Sequence, residues 1–328
     1  MDIFLQQLIN GLTLGCVYAI VALGYTMVYG IIQLINFAHG EVVMIGAMVA
    51  FSAITALAAG GMPPLLVVGI GTACAIPACM AVAYAMERLA YRPLRRAPRL
   101  APLITAIGVS IILQHLAMLV WTRNVIAFPQ ILDNKVHAIG GATITSVQIA
   151  IVGLCVAIMG GLALLVYRTK LGTAMRATAQ NPQVAGLMGI DVDRVIAATF
   201  LIGAGLGAVA GVMVGTYYGV AQYTMGSILG LKAFAAAVLG GIGNIPGAMV
   251  GGILLGVVEA MGAGYIGELT DLCHVAGVSD WLAERCKADP HFVVFGSNYQ
   301  DVFAFVVLIL VLLFRPSGLL GERVGDRA

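Results

Sequence analysis

Residues 3–38 contain no charged side chain, and neither do residues 42–86. A bilayer-spanning helix needs roughly 20 consecutive, predominantly apolar residues, so the opening quarter of this chain reads as lipid-embedded. Further apolar stretches follow at residues 103–121, 148–167, 195–218, 233–262 and 302–314. With no water in the hydrocarbon core to satisfy backbone groups, spans of this kind must be helical. The chain therefore reads as all-α, a polytopic transmembrane helix bundle of about eight membrane segments, forming a single domain over residues 1–328.

Composition agrees. Charged residues make up 10% of the chain and hydrophobic ones 61%, whereas soluble domains carry about 25% charged residues. Membrane lipid is thus the solvent, and nothing in the charge pattern calls for nucleic acid. The 42 glycines read as packing devices, because helices in lipid associate through close backbone approach. The N-terminus lacks a basic n-region and Asn10, Thr13 and Tyr18 interrupt the apolar run, so the first helix reads as a retained span and not a cleaved signal. Cys16, Cys74, Cys79 and Cys155 fall in predicted spans and read as small packing residues. Cys273 and Cys286 lie in a polar loop.

Basic residues cluster. Arg88, Arg92, Arg95, Arg96 and Arg99 share one loop, Arg168, Lys170, Arg176 and Arg194 another, and Arg315, Arg323 and Arg327 the tail. The positive-inside rule makes all three cytoplasmic, with 122–147 and 264–300 outside. The two cysteines would then sit on the oxidising side, where a disulfide and two free thiols both remain open. Segment 233–262 must enter and leave on one side. As one helix it would be about 45 Å long, but GGIGNIPG at 240–247 breaks helices, which predicts a pair of half-helices. Residues 29–42, YGIIQLINFAHGEV, form a second interruption. Paired interruptions of this kind mark the pathway in many transporters. Gly207, Gly211, Gly215 and Gly219 recur at i+4 and predict one smooth helix face.

Residues able to carry chemistry are few. No G-x-x-x-x-G-K-[ST] loop and no H-E-x-x-H occurs, and the H-x-E at His39 to Glu41 lacks the P-C-x-x-C that accompanies it in zinc deaminases. No metal site and no enzymatic activity is expected. Glu41 and Glu259 are costly at membrane depth and should face protein or a watery cavity. Asn36 and His39 join Glu41 at the first interruption; lining a pathway and latching a broken helix both demand these residues. Gln114 and His115 read as interhelical hydrogen-bond partners, and Asn244 as a turn former.

Cytoplasmic segment 168–194 contains an N-cap at Asn181, proline at the first helical position in Pro182 and a stop at Gly189. These predict a short surface helix over 182–188. Bare pattern favours a connector over a docking element.

The blocks GLTLGCVYAIVALGYTMVYGIIQLINFAHGEVVMIGA (11–47), ERLAYRPLR (87–95), RATAQNPQVAGLMGIDVDRV (176–195), KAFAAAVLGGIGNIPGAMVGGILLGVVEA (232–260) and FRPSGLLG (314–321) resemble the LivH type of permease in branched-chain amino acid ABC importers. The resemblance spans nearly the whole chain. It implies a bacterial inner-membrane, multi-pass permease paired with a second, LivM-like permease subunit, two ATPase subunits and a periplasmic substrate-binding protein. ATP and Mg would then be bound by the partner ATPases, with no cofactor on this chain. It also implies that residues around 182–188 dock on an ATPase, with Arg176, Asn181, Pro182, Ala185, Gly186 and Gly189 as the coupling residues and Ala185 and Gly186 as the small docking surface. Loop 264–300, with Trp281, is longer than the family leads one to expect. Urea and short-chain amide importers have similar permeases, so leucine-type and urea-type substrates stay open. A self-sufficient channel or secondary transporter is the rival of another class, and it would need coupling-ion carboxylates for which Glu41 and Glu259 are the candidates.

Overall fold

A computed structural model describes residues 2–95, 97–98, 100–269 and 299–321. Cys273 and Cys286, most of loop 264–300 with Trp281, Arg96, Arg99, and the tail residues Arg323 and Arg327 lie outside the described residues. The helices, in chain order, are α1 (Asp2–Ile32), α2 (His39–Ala58), α3 (Pro64–Met86), α4 (Leu100–Val120), α5 (Ser146–Arg168), α6 (Lys170–Gln180), α7 (Pro182–Leu187), α8 (Val192–Tyr218), α9 (Met225–Gly240), α10 (Ile245–Leu269) and α11 (Gln300–Phe314). Among the described residues seven helices are long and apolar enough to cross a membrane; α9 and α11 are shorter apolar helices.

Contacts between elements fix their alternation. At one end of the bundle Gln6 of α1 bonds to Thr143. Thr143 lies in a hairpin of two strands, 136–139 and 142–145, and nearby Ile126 and Ala127 pair with Ala221 and Val220 just after α8. At the other end a Cβ on Gly30 would lie 3.5 Å from the Gly243 carbonyl. There too the N–H groups of Leu319 and Leu320 donate to the carbonyls of Leu239 and Gly240, at 2.9 and 3.0 Å. The two interruptions, more than 200 residues apart in sequence, thus meet at the end that carries the basic loops.

The half-helix reading of 233–262 needs correction. α9 begins at Met225, and the hairpin of α9 and α10 turns at the C-terminal end of the bundle, against Ser317 and Gly321. At 1.5 Å per residue α9 is about 24 Å long and α10 about 37 Å. α10 is thus long enough to cross the bilayer and α9 is shorter, and α9 starts ahead of the segment because Gly226, Leu229 and Gly230 extend the buried apolar run upstream of Ala233. α11 likewise starts at Gln300, two residues before the predicted span.

Close packing at glycine builds the core. A Cβ on Gly15 would lie 2.7 Å from the Ile253 Cα, and one on Gly11 the same distance from the Val257 Cα, so α1 and α10 touch backbone to backbone. α2 and α8 do likewise at Gly46 and Gly211. Dispersion and hydrogen bonding drive such contacts in lipid, where apolar burial contributes little. The predicted four-glycine face of α8 is three long: Gly207, Gly211 and Gly215 meet α2 and Phe128, whereas Gly219 takes φ +69° and caps the helix. Cys16, Cys79 and Cys155 are buried as expected, but Cys74 is exposed on α3.

Candidate functional site

α1, at about 46 Å, outlasts the hydrocarbon core. His39, the first residue of α2, packs on Gly24 of α1, eight residues before the end of α1 and so about 12 Å inside it. Residues 33–38 are the non-helical chain that climbs back to this depth. Gln33 takes φ +53°, and its N–H donates to the Tyr29 carbonyl at 2.8 Å. Such backbone survives in a membrane only where protein covers it; Asn36 and Ala38 are buried. The Asn36 Oδ1 accepts from the Tyr91 hydroxyl at 2.6 Å. The His39 ring stands edge-on to Tyr25, with centroids 4.9 Å apart, and its Nε2 is buried without a hydrogen-bond partner.

Glu41, two residues further, is fully buried. Its Oε1 accepts from Gln114 at 2.8 Å, Ser110 at 3.1 Å and Ser227 at 3.2 Å, drawing α4 and α9 onto α2. Its Oε2 has no hydrogen-bond partner, and a Cβ on Gly226 would crowd it at 2.7 Å. Ser110, Gln114 and Ser227 themselves are half-buried. Gln114 is thus interhelical as expected. His115 is not: its Nδ1 lies 2.8 Å from the Ile111 carbonyl of its own helix and the residue is exposed.

Glu259 belongs to a separate cluster. Its Oε1 is 2.7 Å from the Lys232 ammonium, which also reaches Asp301 Oδ1 at 2.6 Å. Its Oε2 accepts from the Tyr18 hydroxyl at 2.9 Å. One cation thereby ties α1, α9, α10 and α11. Lys232 stands immediately before the apolar span that begins at Ala233, and a lone cation at the head of that run, with Glu259 in the middle of the next helix, is the sequence signal for the pair. Asn244 forms the turn, as expected. Its Nδ2 donates to the Leu320 carbonyl at 2.6 Å and its Oδ1 accepts from the Gly247 N–H at 3.3 Å.

On the basic side, α7 has the anticipated caps. Asn181 accepts from the N–H groups of Gln183 and Val184, at 3.0 and 3.1 Å, and Gly189 takes φ +84°. The helix ends at Leu187 with Met188 as its C-cap, one residue short of the expected end. The expected docking surface is corrected. Ala185 is only 4% exposed, while Leu187 and Met188 are 87% and 79% exposed. Six residues present one narrow face inward, and the small residue is the one that fits there. Gly186 remains exposed. Arg176, on the unanticipated helix α6, turns back to the Val166 carbonyl and lies over the Tyr167 ring at 5.7 Å.

The family model described as "Branched-chain amino acid transport system / permease component" matches residues 7–312. The chain belongs to this family. It is 48% identical over 325 residues to the high-affinity branched-chain amino acid transport system permease protein BraD of Pseudomonas aeruginosa, covering 97% of this chain and 96% of that one. It is 43% identical to LivH of Escherichia coli with the same coverage. A probable LivH of Methanocaldococcus jannaschii is 27% identical over 92% of this chain and 88% of its own. No solved structure matches. Permease is the description these relatives share, and a bundle with seven helices long and apolar enough to cross a membrane among the described residues agrees with it.

Proposed function

We propose that this chain is one membrane-spanning half of an ABC importer for leucine, isoleucine and valine in the bacterial inner membrane. The observation that carries the reading is the 48% identity to a named branched-chain amino acid permease across almost the full length of both chains. Partner ATPases supply hydrolysis and hold ATP and Mg, a second permease subunit completes the membrane part, and a periplasmic protein delivers substrate. The capped helix α7 is the docking element. Its exposed Val184, Leu187 and Met188 form the apolar anchor that a groove on an ATPase would receive, while Ala185 seats the helix on its own chain. The helix break with Asn36, His39 and Glu41 lies beside the pathway, and the Glu259 cluster holds the bundle together.

Substrate and docking are tested separately. Uptake driven by the cognate binding protein should be competed by unlabelled leucine and not by urea; competition by urea alone would reassign the substrate. Leu187→Glu should leave the permease in the membrane and prevent its copurification with the ATPase. Unaltered copurification would remove α7 from the docking surface.

A further inference from the structure

The two cytoplasmic loops are joined by an ion-pair cluster. Asp193, in the first turn of α8, takes both Arg92 and Arg95, and Arg95 also pairs with Glu87. Asp193 and Arg92 are well exposed, whereas the Glu87 side chain is almost fully buried. Exposed ion pairs contribute about 0–1 kcal/mol each, so holding the fold is a poor account of them. What they do define is position. Between α7 and Asp193 the chain has little slack: the Ile190 N–H donates to the Ala185 carbonyl at 3.0 Å, and the Asp191 side chain caps α8 through the Arg194 N–H at 3.1 Å.

From Glu87 the chain makes a π-turn, Glu87–Tyr91, closed by the Arg92 N–H on the Glu87 carbonyl. Single π-turns within helices recur at functional sites. This one places Tyr91 fully inside, with its ring 5.4 Å from that of Phe200 on α8 and its hydroxyl on the Asn36 Oδ1. The Asn36 carbonyl in turn accepts the first N–H of α2, from His39, at 3.0 Å. Ion pairs, the backbone of the π-turn and the Tyr91 hydrogen bond therefore connect the start of α8, just after α7, to the start of the helix that carries Glu41.

We infer that the turn from Glu87 to Arg95 is the strut through which a displacement of the docking loop moves the helix break, with Asp193, Arg92, Arg95 and Tyr91 as positioning residues for transport. The inference rests on the docking assignment of α7 made above. Energetic coupling needs a connected element that both sites bias, and this turn is bonded to both, through Arg92 and Arg95 to Asp193 and through Tyr91 to Asn36.

The test uses the complete importer in proteoliposomes with its binding protein, and reads leucine molecules transported per ATP hydrolysed. Tyr91→Phe keeps the ring and removes the bond to Asn36. Asp193→Asn removes the charge, and Asp193→Glu keeps it. Tyr91→Phe and Asp193→Asn should assemble with the ATPases and hydrolyse ATP at the unstimulated rate, yet transport per ATP should fall at least about fivefold, the lower end of measured couplings between sites. Asp193→Glu should recover most of the ratio. Unchanged ratios in Tyr91→Phe and Asp193→Asn, beside a Leu187→Glu complex that has lost its ATPase, would overturn the strut alone. A Leu187→Glu complex that binds its ATPase normally would bring down the docking assignment and the strut with it.

Discussion

Glu41 and Glu259 are alike in sequence, each a carboxylate in an apolar run, and differ in company. Glu259 has a cation at 2.7 Å; Glu41 has neutral donors on one oxygen and none on the other. Removing one partner of a buried ion pair costs about 3–5 kcal/mol, whereas replacing both by apolar groups is often neutral. Lys232→Met should therefore lower the melting temperature of the purified permease sharply, and Lys232→Met with Glu259→Leu should recover most of the loss. An additive double mutant would contradict the pairing. Glu41→Gln retains an acceptor for Ser110, Gln114 and Ser227 but no charge. Abundance should stay at the wild-type level, and leucine uptake should fall about tenfold, as a change of 1.4 kcal/mol would give. Normal uptake would leave Glu41 as a latch only. The presence of these groups was readable from the uncharged runs around them. Their partners were not, because Lys232 and Tyr18 approach Glu259 from helices 27 and 241 residues away.

Caps, breaks and spans are local, and these the residues announced. Asn181, Pro182 and Gly189 each act within a few residues of themselves, and α7 begins where they place it. The inward face of α7 was hidden because six residues carry too little periodicity to tell the buried side from the exposed one. Likewise, GGIGNIPG marks a turn without giving the length of the helices on either side. The contact of α1 with α10 is the most demanding prediction about a pair of elements. Gly15→Leu drives a side chain into the Ile253 backbone, which no rotamer relieves, and should abolish accumulation in the membrane. Leu at Gly108 of α4, where a Cβ would meet nothing within 4 Å, should be tolerated. Similar abundance of the two variants would contradict the packing.

The whole bundle has its two interruptions at one end and its strand pairs at the other, which assigns the sides once the basic loops are taken as cytoplasmic. A membrane-impermeant thiol reagent should reach a cysteine at Asn134 in intact cells and miss one at Arg88; the reverse would invert every span. α4 is the least enclosed of the described spans, yet its Ser110 and Gln114 reach into the Glu41 cluster, so polar side chains stand at the margin of the bundle, the place where the proposed function would put a second permease subunit. No phosphate-binding loop occurs anywhere in the chain, which makes dependence on other subunits the central claim. The direct measurement is accumulation of labelled leucine in proteoliposomes containing this chain alone, compared with the same vesicles containing its permease partner, ATPases, binding protein and ATP. Accumulation should occur only in the complete vesicles and cease when ATP is withheld. Uptake against a gradient by this chain alone, without ATP, would contradict the account.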